Sequence, residues 1–374
     1  MTVTSHLAQS QRFANVDGLR AYAILWVVLY HYSYFWTPAG AGLDLLPYGA
    51  QLSWLPLAQF GEFWVYLFFI ISAYLITLSL ESAANIWQFA AKRLIRLWPT
   101  LFICGTLTFV ITGAYGPEEL TRSVAEYAIS MTFVPPSYVD AIVGVSNWEW
   151  LDGAYWSLWV EVRFYALAAA LFFVFPRFFV QTWTLFFIFA LALTSFASPL
   201  ADIFERVFFV ECLPFFSFGI AMVARAQPGN SLLAMVLAVG SIFAVFNNTD
   251  FAAHDSPLQL ALCYFLVFVV SYVGITSNRP IKVLAAKPMV LIGRSSYAYY
   301  LLHQNIGIAL TLVFASALGA IGAMLAVQVG ILAFSILLTL VVEEPLRKAL
   351  MRRLRRRGSK KPSTNASYAR SHAT

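Results

Sequence analysis

Residues 63–80 read FWVYLFFIISAYLITLSL and contain no charged side chain. An α-helix of this length rises about 27 Å, which is close to the thickness of the hydrocarbon core of a bilayer. Similar apolar runs recur along the 374-residue chain, which is 60% hydrophobic and only 11% charged. A water-soluble fold would lack the polar residues that cover a surface. The sequence therefore predicts a protein that lies mostly in lipid.

The predicted fold is an all-α, polytopic bundle of about ten transmembrane helices. Proline, glycine and asparagine mark most of the breaks between the apolar runs, as is typical of turns. The predicted spans lie near 17–36, 58–80, 98–114, 156–175, 180–198, 206–224, 231–247, 257–276, 289–315 and 322–342.

The distribution of basic residues predicts that both termini are cytoplasmic. With ten spans, the inside segments hold most lysines and arginines, and the outside segments hold only Arg122 and Arg206 beside many acidic residues. This bias follows the positive-inside rule. We expect a multi-pass protein of a bacterial inner membrane. We divide the chain into a cytoplasmic segment (1–16), a transmembrane domain (17–345) with a long extracytoplasmic loop (about 115–155), and a basic, disordered cytoplasmic tail (346–374).

The composition also excludes some partners. The formal charge of +6 comes from the basic tail beside the last span, so topology explains it and we expect no nucleic acid. Cys104, Cys212 and Cys263 fall inside apolar runs without the paired spacing of a zinc site. No metal is expected.

The first span carries a polar stripe. Arg20 and His31 are eleven residues apart, which is close to three helical turns, so they share one face roughly 16 Å apart along the axis. Asp17 joins this face. Arg20 and Asp17 also fit a snorkelling position at the membrane edge. His31 lies deep in the span, where it is either a general base or a packed, hydrogen-bonded histidine.

Three further polar clusters accompany the spans. Arg93 and Arg96 are neighbours on a helix and fit either a phosphate clamp or ordinary positive-inside charge. The fourth span opens with Trp156 and places Ser157, Glu161 and Tyr165 on one face; Glu161 is expected to pair with Arg163 or another arginine, or to position an acceptor hydroxyl or the histidine. The ninth span has a stripe of Ser295, Tyr299 and His303, which faces a substrate tunnel or joins helices.

These motifs together resemble the acyltransferase type 3 family of integral membrane proteins. The resemblance covers residues 12–347, with every motif in the expected order. The matching segments are Asp17-Gly18-Leu19-Arg20 with His31, residues 67–76, residues 93–99, Trp156-Ser157-Leu158 with Glu161 and Phe164-Tyr165, residues 293–297 with His303, and Glu344-Pro345.

The resemblance implies an acyl-CoA-dependent enzyme. Members move an acyl group, here expected to be acetyl, from cytoplasmic acyl-CoA to a hydroxyl of an extracytoplasmic or lipid-linked carbohydrate, such as exopolysaccharide or lipopolysaccharide. It implies that His31 is catalytic and that Arg20, Arg93 and Arg96 serve donor binding or site architecture. Acyl-CoA is a co-substrate, and no tightly bound cofactor is expected. Ala73 replaces the usual glycine of the family, and Val162-Arg163 replaces its usual Glu-Gln.

The expected reaction begins with deprotonation of the acceptor hydroxyl by His31. Glu161 or Asp17 is expected to assist through charge or positioning, and Ser157, Trp156, Tyr165, Tyr299 and His303 are acceptor contacts or structural residues. An acyl-histidine intermediate is an alternative to direct attack. The rival function is a proton-coupled transporter of an anionic or lipid-linked substrate, whose inverted repeats and paired broken helices are not evident in the sequence.

Overall fold

The computed structural model of the protein describes residues 3–37, 44–46, 48–52, 54–55, 57–144, 147–196 and 198–359. All regular secondary structure in these ranges is helical, as predicted. The α-helices are α1 (Val3–Tyr30), α2 (Val65–Glu81), α3 (Ile86–Tyr115), α4 (Val124–Ser130), α5 (Pro136–Val143), α6 (Trp156–Val174), α7 (Phe179–Thr194), α8 (Pro199–Phe208), α9 (Leu213–Ala224), α10 (Ser231–Asn248), α11 (Pro257–Thr276), α12 (Lys287–Leu302), α13 (Asn305–Leu318), α14 (Ala320–Leu338) and α15 (Glu344–Ser359).

The helices confirm a polytopic membrane protein. Within the described ranges, seven helical stretches are long and apolar enough to cross a bilayer, and the number rises to nine if each of two bent helix pairs is one span. The count of about ten spans and the sides of the two termini stay predictions.

Two helices predicted as single spans are broken. Helices α8 and α9 meet at 54°, within the predicted span 206–224, and α12 and α13 meet at 76°, within the predicted span 289–315. The second break falls at His303-Gln304, where neither residue is proline or glycine, and contacts from other helices hold it. Hydropathy does not register such contacts. Paired broken helices were not evident in the sequence, which argued against a transporter, but the described structure contains these two bent pairs.

The C-terminal helix is longer than predicted. A π-helical turn, Thr339–Glu343, joins α14 to α15, and α15 extends to Ser359. Pro345, which has no N–H to donate, is the second residue of α15, just after the π-helical turn, and the helical run continues through it. The part of the predicted disordered tail from 346 to 359 is thus helical, whereas residues 360–374 lie outside the described residues.

The first helix packs along α12, and this contact depends on two glycines. A Cβ atom added to Gly293 in α12 would lie 1.7 Å from the Asp17 carbonyl oxygen of α1, and one added to Gly18 would lie 2.2 Å from the Leu284 carbonyl oxygen. The absence of side chains therefore lets the backbones meet. This close contact positions the polar residues of α1 against those of α12.

We expect Gly293→Ala to destabilise the protein. The new methyl group meets backbone rather than a movable side chain, and overpacking of this kind costs about 1–3 kcal/mol. Gly113→Ala in α3 is the matched control because nothing lies within 4 Å of its added Cβ atom, and alanine favours a helix. Thermal unfolding in detergent should show a lower midpoint for Gly293→Ala alone; equal midpoints would contradict the close packing of α1 on α12.

Candidate active site

Two histidines face each other inside the bundle. His31 opens a π-helical turn, His31–Phe35, directly after α1, and His303 lies at the bend between α12 and α13. The ring centroids are 5.0 Å apart, and Nε2 of His303 lies 3.3 Å from Nδ1 of His31. His31 is half-buried, so a small molecule can reach it, while His303 is fully buried. Irregular helical turns of this kind often occur at functional sites.

Hydrogen-bond partners determine the tautomers of the two rings. Nδ1 of His31 lies 2.9 Å from the Val27 carbonyl oxygen, and Nδ1 of His303 lies 2.8 Å from the Tyr300 carbonyl oxygen. Because a carbonyl only accepts, each Nδ1 carries the proton. The Nδ1–H of His31 is then shared with the lone pair on Nε2 of His303, and Nε2 of His31 keeps a free lone pair. This arrangement suits a general base whose orientation is fixed by its neighbours.

Side chains from other helices hold the bend at His303. The Tyr32 hydroxyl donates to the His303 carbonyl oxygen at 2.6 Å, and Nε2 of Gln328 in α14 donates to the same oxygen at 3.2 Å. The Tyr299 hydroxyl donates to Oε1 of Gln328 at 3.1 Å. The helix break frees this carbonyl from its regular partner, and these donors replace that partner. Tyr299 therefore supports His303 through Gln328.

Asp152 holds the other side of the bend. Its Oδ2 accepts from the Asn305 N–H at 3.0 Å, and its Oδ1 accepts from the Ala154 N–H at 2.9 Å. Burial raises the pKa of Asp152 to about 6, although these two N–H groups act in the opposite direction. The start of α13 is thereby tied to the residues just before α6.

A narrow cavity of about 70 Å³ lies one side chain away from His303. Tyr300 lies in its wall, and the Tyr300 ring centroid is 5.6 Å from that of His303. The Tyr300 hydroxyl lies 2.8 Å from Oγ of Ser157 and donates to the Ala154 carbonyl oxygen at 2.8 Å. Ser157 also lines the cavity, so this predicted site residue lies one contact away from the histidine pair.

Glu161 lines the same cavity through the α6 face that carries Ser157. It accepts a hydrogen bond from Oγ of Ser72 at 2.6 Å and another from the Tyr165 hydroxyl. The interpretation that Glu161 pairs with Arg163 was wrong, because Arg163 turns away and its guanidinium lies 5.0 Å from the Trp159 ring. Two residues along a helix is about 200°, which puts the two side chains on opposite faces.

A wider basic cavity of about 380 Å³ adjoins the narrow one. Arg20, Arg96, Ser296 and Tyr297 line both cavities. The basic cavity also includes Arg294 and Arg347, together with Asp17, Glu343 and Glu344. Arg294 pairs with Glu344, whereas Arg20 and Asp17 lie 3.9 Å apart. Four arginines thus line the approach to Glu161, together with three acidic side chains.

Asp17 and Arg93 are not brought to the histidines. Asp17 lies in the basic cavity, about 21 Å from His31 along the helix axis, so its contact is with Arg20. Arg93 donates to Oγ of Ser79 at 3.1 Å, and its guanidinium lies 5.7 Å from the Phe89 ring. Arg96 lines both cavities, whereas Arg93 lines neither.

Ala73 is accommodated by a neighbouring glycine. Ala73 in α2 is fully buried, and a Cβ atom added to Gly219 of α9 would lie 2.7 Å from the Ala73 methyl carbon. The absence of a side chain at Gly219 in α9 therefore leaves room for the methyl group of Ala73 in α2.

Trp156, at the start of α6, points away from the narrow cavity and lines a separate cavity with Arg163.

Sequence reasoning missed four residues of the site: Ser72, Asp152, Tyr300 and Gln328. Ser72 lies in residues 67–76, a segment that matches the family. It is a polar residue in an apolar run, and this could have marked it as a site residue. Tyr300 is adjacent to the predicted Tyr299 but faces the cavity. Gln328 is an uncharged polar residue in the middle of α14, and such a residue in lipid usually has a partner.

Comparison with known proteins identifies the family. A family described as "Acyltransferase domain" matches residues 13–341. Peptidoglycan O-acetyltransferase OatA of Listeria monocytogenes is 26% identical over 178 residues, which cover 44% of this chain and 24% of that protein. O-acetyltransferase OatA of Staphylococcus aureus (strain NCTC 8325 / PS 47) is 27% identical over 176 residues, 41% of this chain and 23% of that protein.

The matched region is about a quarter of the length of these relatives. No solved structure matches the chain significantly. The family match covers nearly all the described helices, including both histidines, Glu161 and three of the cavity arginines, Arg20, Arg96 and Arg294. The chain belongs to the acyltransferase type 3 family, and its helical bundle is an acyltransferase domain.

Proposed function

We propose that this protein is a membrane O-acetyltransferase that uses acyl-CoA and modifies a carbohydrate hydroxyl. The observation that carries the proposal is the pair of cavities that share Arg20 and Arg96, together with the His31–His303 pair, which lies behind Tyr300 in the wall of the narrow cavity. Arginine suits phosphate, and the thin pantetheine arm of CoA suits a narrow cavity. The relatives, whose printed names include peptidoglycan O-acetyltransferase, support a glycan acceptor.

The proposed orientation places the basic cavity in the cytoplasm of a bacterial inner membrane. Cytoplasmic acetyl-CoA then presents its thioester from one side, and an extracytoplasmic or lipid-linked glycan presents its hydroxyl from the other. The positive-inside distribution of arginine and lysine supports this direction. Acetyl-CoA acts as a co-substrate that leaves as CoA.

In the proposed step, Nε2 of His31 takes the proton of the acceptor hydroxyl. The hydroxyl oxygen forms a bond to the thioester carbonyl carbon, the carbon–sulfur bond breaks, and the CoA thiolate receives the proton from His31. While His31 is charged, its Nδ1–H donates to the Val27 carbonyl oxygen and to Nε2 of His303. The products are an ester of the glycan and free CoA.

Labelled acetyl-CoA and a muropeptide acceptor test this function with protein in nanodiscs. We expect labelled ester on the glycan and an equal amount of free CoA. Transfer that proceeds without acetyl-CoA, or CoA release without glycan ester, would contradict the proposal. Transport of labelled glycan across liposomes, without ester formation, would favour the transporter instead.

Arg96→Gln should raise the KM for acetyl-CoA about tenfold in this assay, because it removes one charge-assisted contact to phosphate. Acetyl-pantetheine, which carries no nucleotide phosphate, should lose little with the same variant. Arg177→Gln is the control, since Arg177 is exposed and lines neither cavity. An equal loss for both donors would indicate that Arg96 acts through the fold and does not bind phosphate.

A further inference from the structure

A second large cavity opens on the other side of α6. It encloses about 890 Å³, between α6, the α8–α9 bend, and the adjoining ends of α10 and α11. Trp156, Val160 and Arg163 of α6 line it, whereas Ser157 and Glu161 line the narrow cavity. Helix α6 therefore forms a wall between the two spaces. We call this space the aromatic cavity.

Both aromatic and polar side chains line the aromatic cavity. The side chains of Trp156 and Tyr138 line it and are each more than two-fifths exposed, so their rings offer surface for a ligand. Tyr66 is stacked on Phe215, with ring centroids 4.0 Å apart and planes 5° apart, so that part of the wall is rigid. Exposed aromatic faces beside hydrogen-bonding groups are the usual surface for sugar rings.

The charges of the aromatic cavity differ from those of the basic cavity. Glu205 and Glu211 lie among Arg163, Arg206 and His254, so neither sign dominates. A balanced set of acceptors and donors suits hydroxyl and acetamido groups better than phosphate. The Nε of Arg163 is buried without a hydrogen-bond partner in the described part of the chain, which leaves a donor near the cavity wall.

The backbone at the α8–α9 bend is strained. Phe209 has φ 47°, a left-handed conformation that is uncommon for a side chain other than glycine. The turn that follows places Glu211 at the cavity surface. Strain of this kind persists only where surrounding structure holds it, and it is concentrated at ligand sites.

Helix α8 places the cavity near the membrane surface. Leu200, Ile203 and Val207 form one exposed apolar face, each more than half exposed, while Glu205 and Arg206 line the cavity. A short helix with this division is typical of the lipid–water interface. A ligand in this cavity would therefore lie close to a membrane surface.

A hydrogen bond links the cavity wall to the histidines. Phe63 and Tyr66 line the cavity, and Glu62, next to Phe63, accepts from the Tyr30 hydroxyl at 3.1 Å. The Tyr30 ring centroid lies 5.2 Å from that of His31. Two side chains, Glu62 and Tyr30, thus lie between the wall of the aromatic cavity and the proposed base.

We propose that the aromatic cavity binds the sugar chain of the acceptor, next to the residue that receives the acetyl group. This inference rests on the proposed function for its position in the reaction, but binding of the glycan does not depend on transfer. Glu211 and Arg206 hydrogen-bond to sugar hydroxyl or acetamido groups, and Trp156 contacts a ring face.

Direct binding tests the cavity without any reaction. Calorimetry with the protein in nanodiscs and a soluble disaccharide muropeptide should give saturable binding, and Glu211→Gln or Arg206→Gln should raise the Kd about tenfold. Asp202→Asn, on α8 but outside the cavity lining, is the matched control and should bind as the wild type does. Chitotetraose tests whether the sugar chain alone suffices.

Acetyl transfer provides the second readout. Glu211→Gln should raise the KM for the acceptor while the KM for acetyl-CoA stays unchanged, and running the assay with soluble muropeptide and with lipid II distinguishes a free chain from a lipid-linked one. Glycan binding that is equal in wild type and in both cavity variants, or no binding by the wild type to either glycan, would overturn the inference. Binding that depends on Glu211, in a protein that transfers no acetyl group, would instead overturn the proposed function alone.

Discussion

We expect His31→Ala to lower kcat by about 10²–10⁴-fold, the contribution typical of a general base. Nε2 of His31 carries the lone pair of the histidine pair that can accept a proton from the acceptor. His303 cannot take over this role because His303 is fully buried. The KM for acetyl-CoA should change little, since the arginines that surround the approach are intact. Single-turnover transfer of labelled acetyl to a glycan measures the effect.

Two controls accompany the His31 variant. Thermal unfolding should show a folded protein, and calorimetry should show acetyl-CoA binding within a few-fold of the wild type. Transfer at the wild-type rate by a folded His31→Ala protein would exclude His31 as the base. Mass spectrometry of the wild type after a pulse of acetyl-CoA without acceptor distinguishes the two chemical routes, because only the acyl-histidine route leaves an acetyl group on His31.

The second large effect concerns His303. His303→Ala removes the acceptor that lies 3.3 Å from Nδ1 of His31, so the ring of His31 loses one of the two groups that orient it. Partners that orient a functional histidine typically contribute about 10–100-fold, and we expect a loss of that size in kcat. The KM values for both substrates should stay near those of the wild type.

A conservative variant separates orientation from simple packing. In His303→Gln the side-chain oxygen can occupy the place of Nε2 and accept from His31, so part of the rate should return. His303→Leu fills a similar space without an acceptor and should behave like His303→Ala. If glutamine and leucine give the same rate, His303 acts only by filling volume. The pH dependence of kcat should also shift in the leucine variant, because the charged form of His31 loses its acceptor.

Much of this site follows from the sequence because each motif lies on one helix. The spacing of Ser157, Glu161 and Tyr165 predicts a common face, and the structure joins them through the narrow cavity and the bond from Tyr165 to Glu161. Arg20 and Arg96 were identified as candidates from separate helices, and both line the same two cavities. Local periodicity carries that information.

The pairing of His31 with His303 could not be predicted. The two residues are 272 positions apart in the chain, and His303 reaches its partner through a bend in a run that reads as one continuous helix. Tertiary contacts from Tyr32 and Gln328 make the bend, and neither contact leaves a periodic signal. The predicted pairing of Glu161 with Arg163 was wrong because the two residues are near in sequence but lie on opposite faces of α6. Residues two apart on a helix do not face each other.

The supports of the α12–α13 bend come from three distant parts of the chain, which are synthesised at different times. Tyr32 is made early, Asp152 midway and Gln328 after the bend itself. A nascent chain that has inserted every helix up to α13 would cross the membrane yet lack the donor from Gln328. The donor from Gln328 therefore reaches the His303 carbonyl oxygen only after α14 has been made and has docked, when nearly the whole bundle has been assembled.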